Sequence, residues 1–429
     1  MMKTTMLTAL RQSNLRSRMW MNHLSLSLLA GFAALWGAAG LSLLVAAALV
    51  ACGGGGGGGV ASIGSGGTGS FSAFNVGTIT GFGSVFVNGV RFDDSSPSLS
   101  VSDEDGKRDR SDLRLGMVVR VQGSVDANGS ATASSFAFDS ELLGPVRSIN
   151  TAAKTLNILG QNVTVGLNTV FDGSLPSGFD SLAVGQVLEV HGYLNPSTNT
   201  LQATLIELKS RPDRYKLSGT VNRLQNAPTN TFQIGSETIS FNGLSTADIA
   251  PGLANGVLVR VRLAIAPNAN GSLQAARLRG NQDTPNDRDR TEVEGLISAF
   301  ASPPSTLQFS IGAVRVDAST ASFPNGTAGL AIGTRVEVKG ALKAGTLVAS
   351  EVQIELAESG KEIQLKGAIG SLNPVAKTFE LRGVTVSYTN ATRFDNGAES
   401  KLADGAVVEM RGQTAPNSST VNANRIKFD

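Results

Sequence analysis

The chain has 429 residues, of which 41% are hydrophobic and only 16% charged. This is apolar material for two or three domain cores on the usual length prior, with less charge than the roughly 25% of ordinary domains. A single cysteine excludes an intramolecular disulfide framework, and a formal charge of +2 argues against a strongly basic nucleic-acid binder.

Residues 1–51 carry Lys3, Arg11, Arg16 and Arg18 and no acidic residue, followed by an apolar run from Leu24 to Ala51. Basic residues, an apolar stretch and small residues at the exit make an export signal. The same run is long enough to span a bilayer as an uncleaved helix, which is the alternative reading. The run ends Leu49-Val50-Ala51-Cys52, which resembles the lipobox of bacterial lipoproteins: aliphatic, small or aliphatic, small, then cysteine. The resemblance implies cleavage before Cys52, a diacylglyceryl group on its thiol and attachment to the membrane through that lipid. With Gly53 next to it, the resemblance points to the outer membrane of a bacterial cell envelope. Gly53 to Gly59 is unbroken glycine and small residues continue to about Ser70, so residues 52–75 read as a flexible tether. Removal of residues 1–51 leaves a formal charge of about −2, no tryptophan and His191 as the remaining histidine. That charge and location predict no nucleic-acid partner.

The rest of the chain repeats. The phrase at 115–123 returns at 184–192, 332–340 and 404–412, with a weaker copy at 255–263 where Leu263 replaces the final glycine. The first glycines of these phrases, Gly116, Gly185, Gly256, Gly333 and Gly405, are spaced by 69, 71, 77 and 72 residues. A glycine opens each unit (Gly77, Gly144, Gly219, Gly295, Gly367), and another divides two apolar runs (Gly89, Gly160, Gly235, Gly312, Gly383). An alanine column (Ala133, Ala203, Ala275, Ala349, Ala423) marks the closing strand. Such columns define a repeat architecture.

The units fall at 76–139, 140–210, 215–280, 291–357 and 362–429, with a polar linker at 281–290. In the third, strands are predicted over 216–224, 231–234, 237–241, 257–264 and 272–279. In the fourth strand Val119, Leu188, Val259, Val336 and Val408 form one inward column, and Val121, Val190, Val261, Val338 and Met410 the next. Arg120, Glu189, Arg260, Glu337 and Glu409 alternate with them and are predicted to face water. The Gly89 column fits hairpins that need positive φ. A three-strand meander, a longer connection and a two-strand hairpin give the layout of a small five-stranded barrel of OB type. The fold class is therefore all-β: five tandem OB-like barrels, arranged as a string packed end to end.

The segment Gly77–Asp93, the phrase Leu115–Gly123, and Thr-x-Phe-Asp at 169–172 and 392–395 resemble bacterial lipoproteins carrying tandem copies of domain of unknown function 5666. The likeness covers about 350 residues and is most specific in the first two units. It implies no activity, cofactor or catalytic residue.

Chemistry-bearing clusters are sparse. His191 is the remaining candidate base, but its repeat equivalents are Gln122, Arg262, Lys339 and Arg411, so it reads as a solvated, outward-facing residue. Asp103, Glu104 and Asp105 head a dense acidic run without an EF-hand pattern and with lysine and arginine beside it. They read as a solvated loop, or more weakly as a binding surface together with Phe82 and Phe86, whose other reading is core. No catalytic residue, metal site or cofactor is expected. The expected function is a non-enzymatic, membrane-anchored envelope protein presenting barrel surfaces to protein or polymer partners. The alternatives are a small-ligand or oligosaccharide module using an OB-type groove, and a hydrolase on carboxylates such as Asp93, Asp94 or Asp172.

Overall fold

The computed structural model describes residues 70–280, 286–301, 305–355, 360–416 and 418–429. The export signal, Cys52, residues 52–69 of the tether and half of the 281–290 linker lie outside the described residues, and residues 71–75, read as the end of the tether, are strand instead. Those described form β-strands and four short 3-10 turns, with no α-helix.

In the first unit β1 (Phe71–Phe82), β2 (Val85–Val87) and β3 (Val90–Asp93) form an antiparallel meander. A hairpin of β4 (Ser100–Asp103) and β5 (Gly106–Arg108) follows, then β6 (Val118–Val125) and β7 (Ala131–Phe138). β3 runs parallel to β7, β7 antiparallel to β6, and β6 returns to β1. The pairings close on themselves, which removes the exposed edges of an open sheet.

The same order of pairings recurs. In the second unit it runs through β8 (Leu142–Asn150), β9 (Thr155–Ile158), β10 (Gln161–Phe171), β11 (Val187–Asn195) and β12 (Thr200–Leu208). In the third the first strand is broken into β13 (Tyr215–Thr220) and β14 (Asn222–Gln225), followed by β15 (Thr231–Ile234), β16 (Glu237–Ser240), β17 (Leu258–Leu263) and β18 (Leu273–Gly280). The fourth uses β19 (Arg288–Ala301), β20 (Ser305–Ile311), β21 (Val314–Asp317), β22 (Arg335–Lys343) and β23 (Thr346–Ile354). The last uses β24 (Ile363–Asn373), β25 (Thr378–Leu381), β26 (Val384–Ser387), β27 (Arg393–Asp395), β28 (Val407–Thr414) and β29 (Thr420–Phe428).

The repeated residues explain the geometry. Both inward columns of the fourth strand are at most 1% exposed in every unit. The five glycines of the Gly89 column have φ between 57° and 74°, the left-handed region that L side chains avoid. The glycine closing the repeated phrase sits at a register shift on the hairpin partner. A Cβ there would lie 2.0 Å from the Gln202 carbonyl oxygen at Gly192 and 2.1 Å from that of Val348 at Gly340. The glycines therefore let the partner backbone close in at a β-bulge.

The units do not form the expected string. β1 pairs in parallel with β19 along Ala73–Val76 and with β24 at Gly81 and Phe82, so the first unit is joined directly to the fourth and fifth. β8 pairs with β13, joining the second to the third. Apolar cores fuse accordingly: one cluster runs through the first and last units, a second through the second and third, and a third fills the fourth. The physical reason is on the outward strand faces. Phe74, Leu143 and Glu292 stand opposite Gln122, Glu189 and Lys339, on the outward faces of their own units, yet each is buried. Faces carrying apolar and pairable groups gain more by covering one another than by hydration.

Candidate functional site

Three constellations of charged and polar side chains stand out where units meet. The first is the acidic hairpin. The Asp103, Glu104 and Asp105 side chains are only 8%, 13% and 22% exposed, which corrects the solvated-loop reading. The hairpin docks against the third unit: Lys216 Nζ lies 3.1 Å from Glu104 and 3.7 Å from Asp105, Arg262 pairs with Asp105 and donates to the Glu104 carbonyl at 2.6 Å, and Arg214 lies 3.5 Å from Asp105. Beside it Asp139 accepts from Arg120 at 3.0 Å and Arg260 at 2.6 Å, tying the first and third units together. Burial opposes ionisation of Asp139, but the two guanidiniums outweigh it and hold its carboxyl below the ordinary range. Two members of the column predicted to face water, Arg120 and Arg260, thus meet on one buried carboxylate between units, whereas Glu337 and Glu409 pair with lysine and arginine of their own units.

The second constellation surrounds Glu294, whose side chain is fully buried. Arg335 at 2.5 Å and Lys361 both pair with it, the Tyr193 hydroxyl donates to it at 3.1 Å, and the Thr78 amide donates at 3.4 Å. These residues come from the first, second and fourth units and the approach to the fifth. Burial disfavours the Glu294 carboxylate, but the two cations outweigh it and keep the group charged. Burial, then the neighbouring carboxylate, pushes the Tyr193 phenol far up, so it stays a neutral donor.

The third is a cavity of about 540 Å³ where the first three units converge, bordered by Arg108, Asp139, Glu189, His191, Glu207 and Lys209 among others. Here the sequence reading of His191 is corrected. The residue does point out of its own barrel, as alternation requires, but at 1% exposure it is covered by the neighbouring unit. Its Nδ1 lies 3.2 Å from the Asp139 carbonyl oxygen, and its Nε2 has no hydrogen-bond partner. Glu189 stands directly opposite Glu207 in the β11–β12 ladder. Like charges in that position repel. Lys209 offsets them, its ammonium 2.8 Å from Glu189 and 3.4 Å from Glu207. Burial works against both carboxylates, but His191 and Lys209 outweigh it, holding Glu189 at about 2 and Glu207 below its usual range.

Phe82 and Phe86 are half-buried and line a smaller groove of about 340 Å³ with Gln364, Lys366, Glu409 and Arg411, at the junction of the first and last units. Phe82 also packs on the shared apolar cluster. Asp93, Asp94 and Asp172 each serve local contacts: Asp93 and Asp172 cap turns at Ser95 and Ser174, and Asp94 lies 3.2 Å from Arg110. Thr169 and Thr392 donate to the carbonyls of Ala203 and Ala423, holding the end of the meander to the closing strand. Glu207, Glu294 and Lys361 were not singled out from sequence. The available signal was register, since a glutamate two positions before His191 faces a second glutamate only when β11 is paired with β12.

No curated protein matches the chain. The family model of a domain of unknown function (DUF5666) matches residues 76–135, 144–207, 294–353 and 366–427. The family repeats therefore number four, not the five expected. The third segment keeps the pairing order but departs in detail: its first strand is split, and Leu263 occupies the bulge position held elsewhere by glycine. With more than half of its length matched, the chain belongs to the DUF5666 family, as a tandem array of four such domains.

Proposed function

We propose that this is a lipid-anchored envelope protein of non-enzymatic binding or scaffolding type, built from OB-like barrels and held to a bacterial outer membrane through Cys52. In this reading the third segment is a diverged fifth copy of the same barrel. One observation carries the functional part: the polar constellations that could perform chemistry are instead engaged between units, as Asp103–Asp105 are with Lys216 and Arg262, and Glu294 with Arg335 and Lys361. Such pairing makes one multi-faced body on a glycine tether, suited to presenting surfaces to an envelope protein or polymer. Exposed apolar side chains at Val184, Ile332 and Val375 offer contact points.

The test is site-specific photocrosslinking in cells that carry the protein, with the photoreactive residue placed in turn at Val184, Ile332 and Val375. The reading expects one envelope component captured reproducibly from at least one position and not from a buried control at Val338. Silence at every exposed position overturns it. The cavity of about 540 Å³ favours a second reading, a small-ligand module, which expects saturable binding of an envelope metabolite or oligosaccharide.

A further inference from the structure

We infer that Glu189, His191 and Glu207 form a binding site for one divalent transition ion of the zinc class, held in competition with the Lys209 ammonium. This goes beyond the scaffolding reading and does not depend on it. The candidate ligand atoms, one carboxylate oxygen from each glutamate and one imidazole nitrogen, lie within 4.8 Å of one another. A mixed nitrogen and carboxylate set suits zinc and its first-row neighbours rather than calcium or magnesium.

The histidine is the observation that separates this cluster from an ordinary acidic patch. Its side chain is 2% exposed, and Nε2 is buried with no hydrogen-bond partner, 3.7 Å from Glu207 Oε2. That separation is too long for a hydrogen bond. The other nitrogen faces the Asp139 carbonyl, which can only accept, so Nδ1 carries a proton and Nε2 is the atom left for a metal ion, which takes the place of any proton there. A backbone carbonyl fixing the distal nitrogen of a histidine is the usual outer-shell arrangement at metal sites.

The local fold builds the site. Glu189 and His191 are two residues apart on β11 and so share a face, and Glu207 stands opposite Glu189 on β12. The register shift between His191 and Gly192 falls beside them, a bulge of the kind that re-aims side chains. Two buried carboxylates in direct opposition call for a cation, and Lys209 supplies one from a side chain 36% exposed at the cavity wall. An incoming ion takes the ammonium's place while Lys209 turns to the cavity, which leaves the remaining coordination positions open to water.

The experiment titrates the chelator-treated full-length protein with Zn²⁺ by calorimetry and with Co²⁺ by visible absorption, near pH 7.5. One ion per chain is expected, with a Co²⁺ spectrum showing nitrogen and oxygen ligation. Lys209→Met is expected to bind at least tenfold more tightly, because the competing cation is gone. His191→Gln and Glu189→Gln are each expected to bind at least tenfold more weakly, with the circular dichroism of the metal-free protein unchanged; glutamine is what the first unit carries at the His191 position. Absence of stoichiometric binding by the unsubstituted protein overturns the proposal, as does binding that His191→Gln and Glu189→Gln leave unchanged.

Discussion

Glu292 should make the protein less stable as pH rises through neutrality. It lies on β19 opposite Lys339, its Oε2 accepting from Asn75 of the first unit at 3.2 Å. Lys339 is shared among Glu292 at 3.6 Å, Glu337 at 3.2 Å and Glu351 at 3.4 Å, so one ammonium faces three carboxyls. Burial, reinforced by the adjacent Glu337, pushes the Glu292 carboxyl up to about 8. The unfolded chain releases this proton near 4.5, the ordinary value, while the folded chain retains it. Between those limits the folded state binds more protons, so stability falls with rising pH, by at most about 1.4 kcal/mol per unit. From about pH 5 to pH 8 the ceiling is about 4 kcal/mol, and relaxation around the site reduces it. Glu292→Gln keeps the shape and the acceptor for Asn75 without a titrating group. Urea unfolding of both proteins at about pH 5 and pH 8 checks this. The variant should gain on the parent by roughly 2–4 kcal/mol between the two conditions. Parallel pH profiles would refute the argument.

Other outcomes follow from the unit junctions. Asp139→Asn should cost about 3–5 kcal/mol in chemical denaturation, because Arg120 and Arg260 lose a buried partner. Glu294→Gln should cost a similar amount, leaving Arg335 and Lys361 facing a neutral group. Gly192→Ala places a Cβ 2.0 Å from a backbone carbonyl and should cost about 1–3 kcal/mol, whereas Gly370→Ala meets nothing within 4 Å and should stay within about 0.5 kcal/mol, both read by thermal melts. Glu189, held at about 2, stabilises the fold above pH 4.5 and loses that contribution as pH falls toward 2, so Glu189→Gln should show a shallower acid-unfolding profile by circular dichroism.

The inward strand faces were legible because a strand has only two faces. Val190 and Val261 alternate with polar neighbours, and alternation alone assigns them to the core. The turn glycines were legible for a similar reason: the Gly89 column recurs where two short apolar runs meet, and such a hairpin needs positive φ. The outward face was not. His191, Glu189 and Arg260 carry the same outward signal whether water or another unit lies beyond, and only the packing of the first three units, with β8 paired to β13, decides which. Those contacts join residues distant in the chain, 52 positions apart for His191 and Asp139 and 121 for Arg260 and Asp139, and no periodicity reports them. The mixture of side chains in the His191 column was read as tolerance of solvent. At two of the five positions it reflects contact with another unit, with Arg262 on the acidic hairpin and His191 against Asp139, while Gln122 is exposed and Lys339 sits among three glutamates of its own unit.

The central claim is that charged faces lock the repeats into one body around the first unit. Small-angle X-ray scattering on the body beginning at Gly66 tests it most directly. A compact body of this length should have a radius of gyration of about 21 Å. Five barrels of this size strung end to end would give about 40 Å. A value near the first, retained at moderate salt, is what the account requires; a value near the second would contradict it.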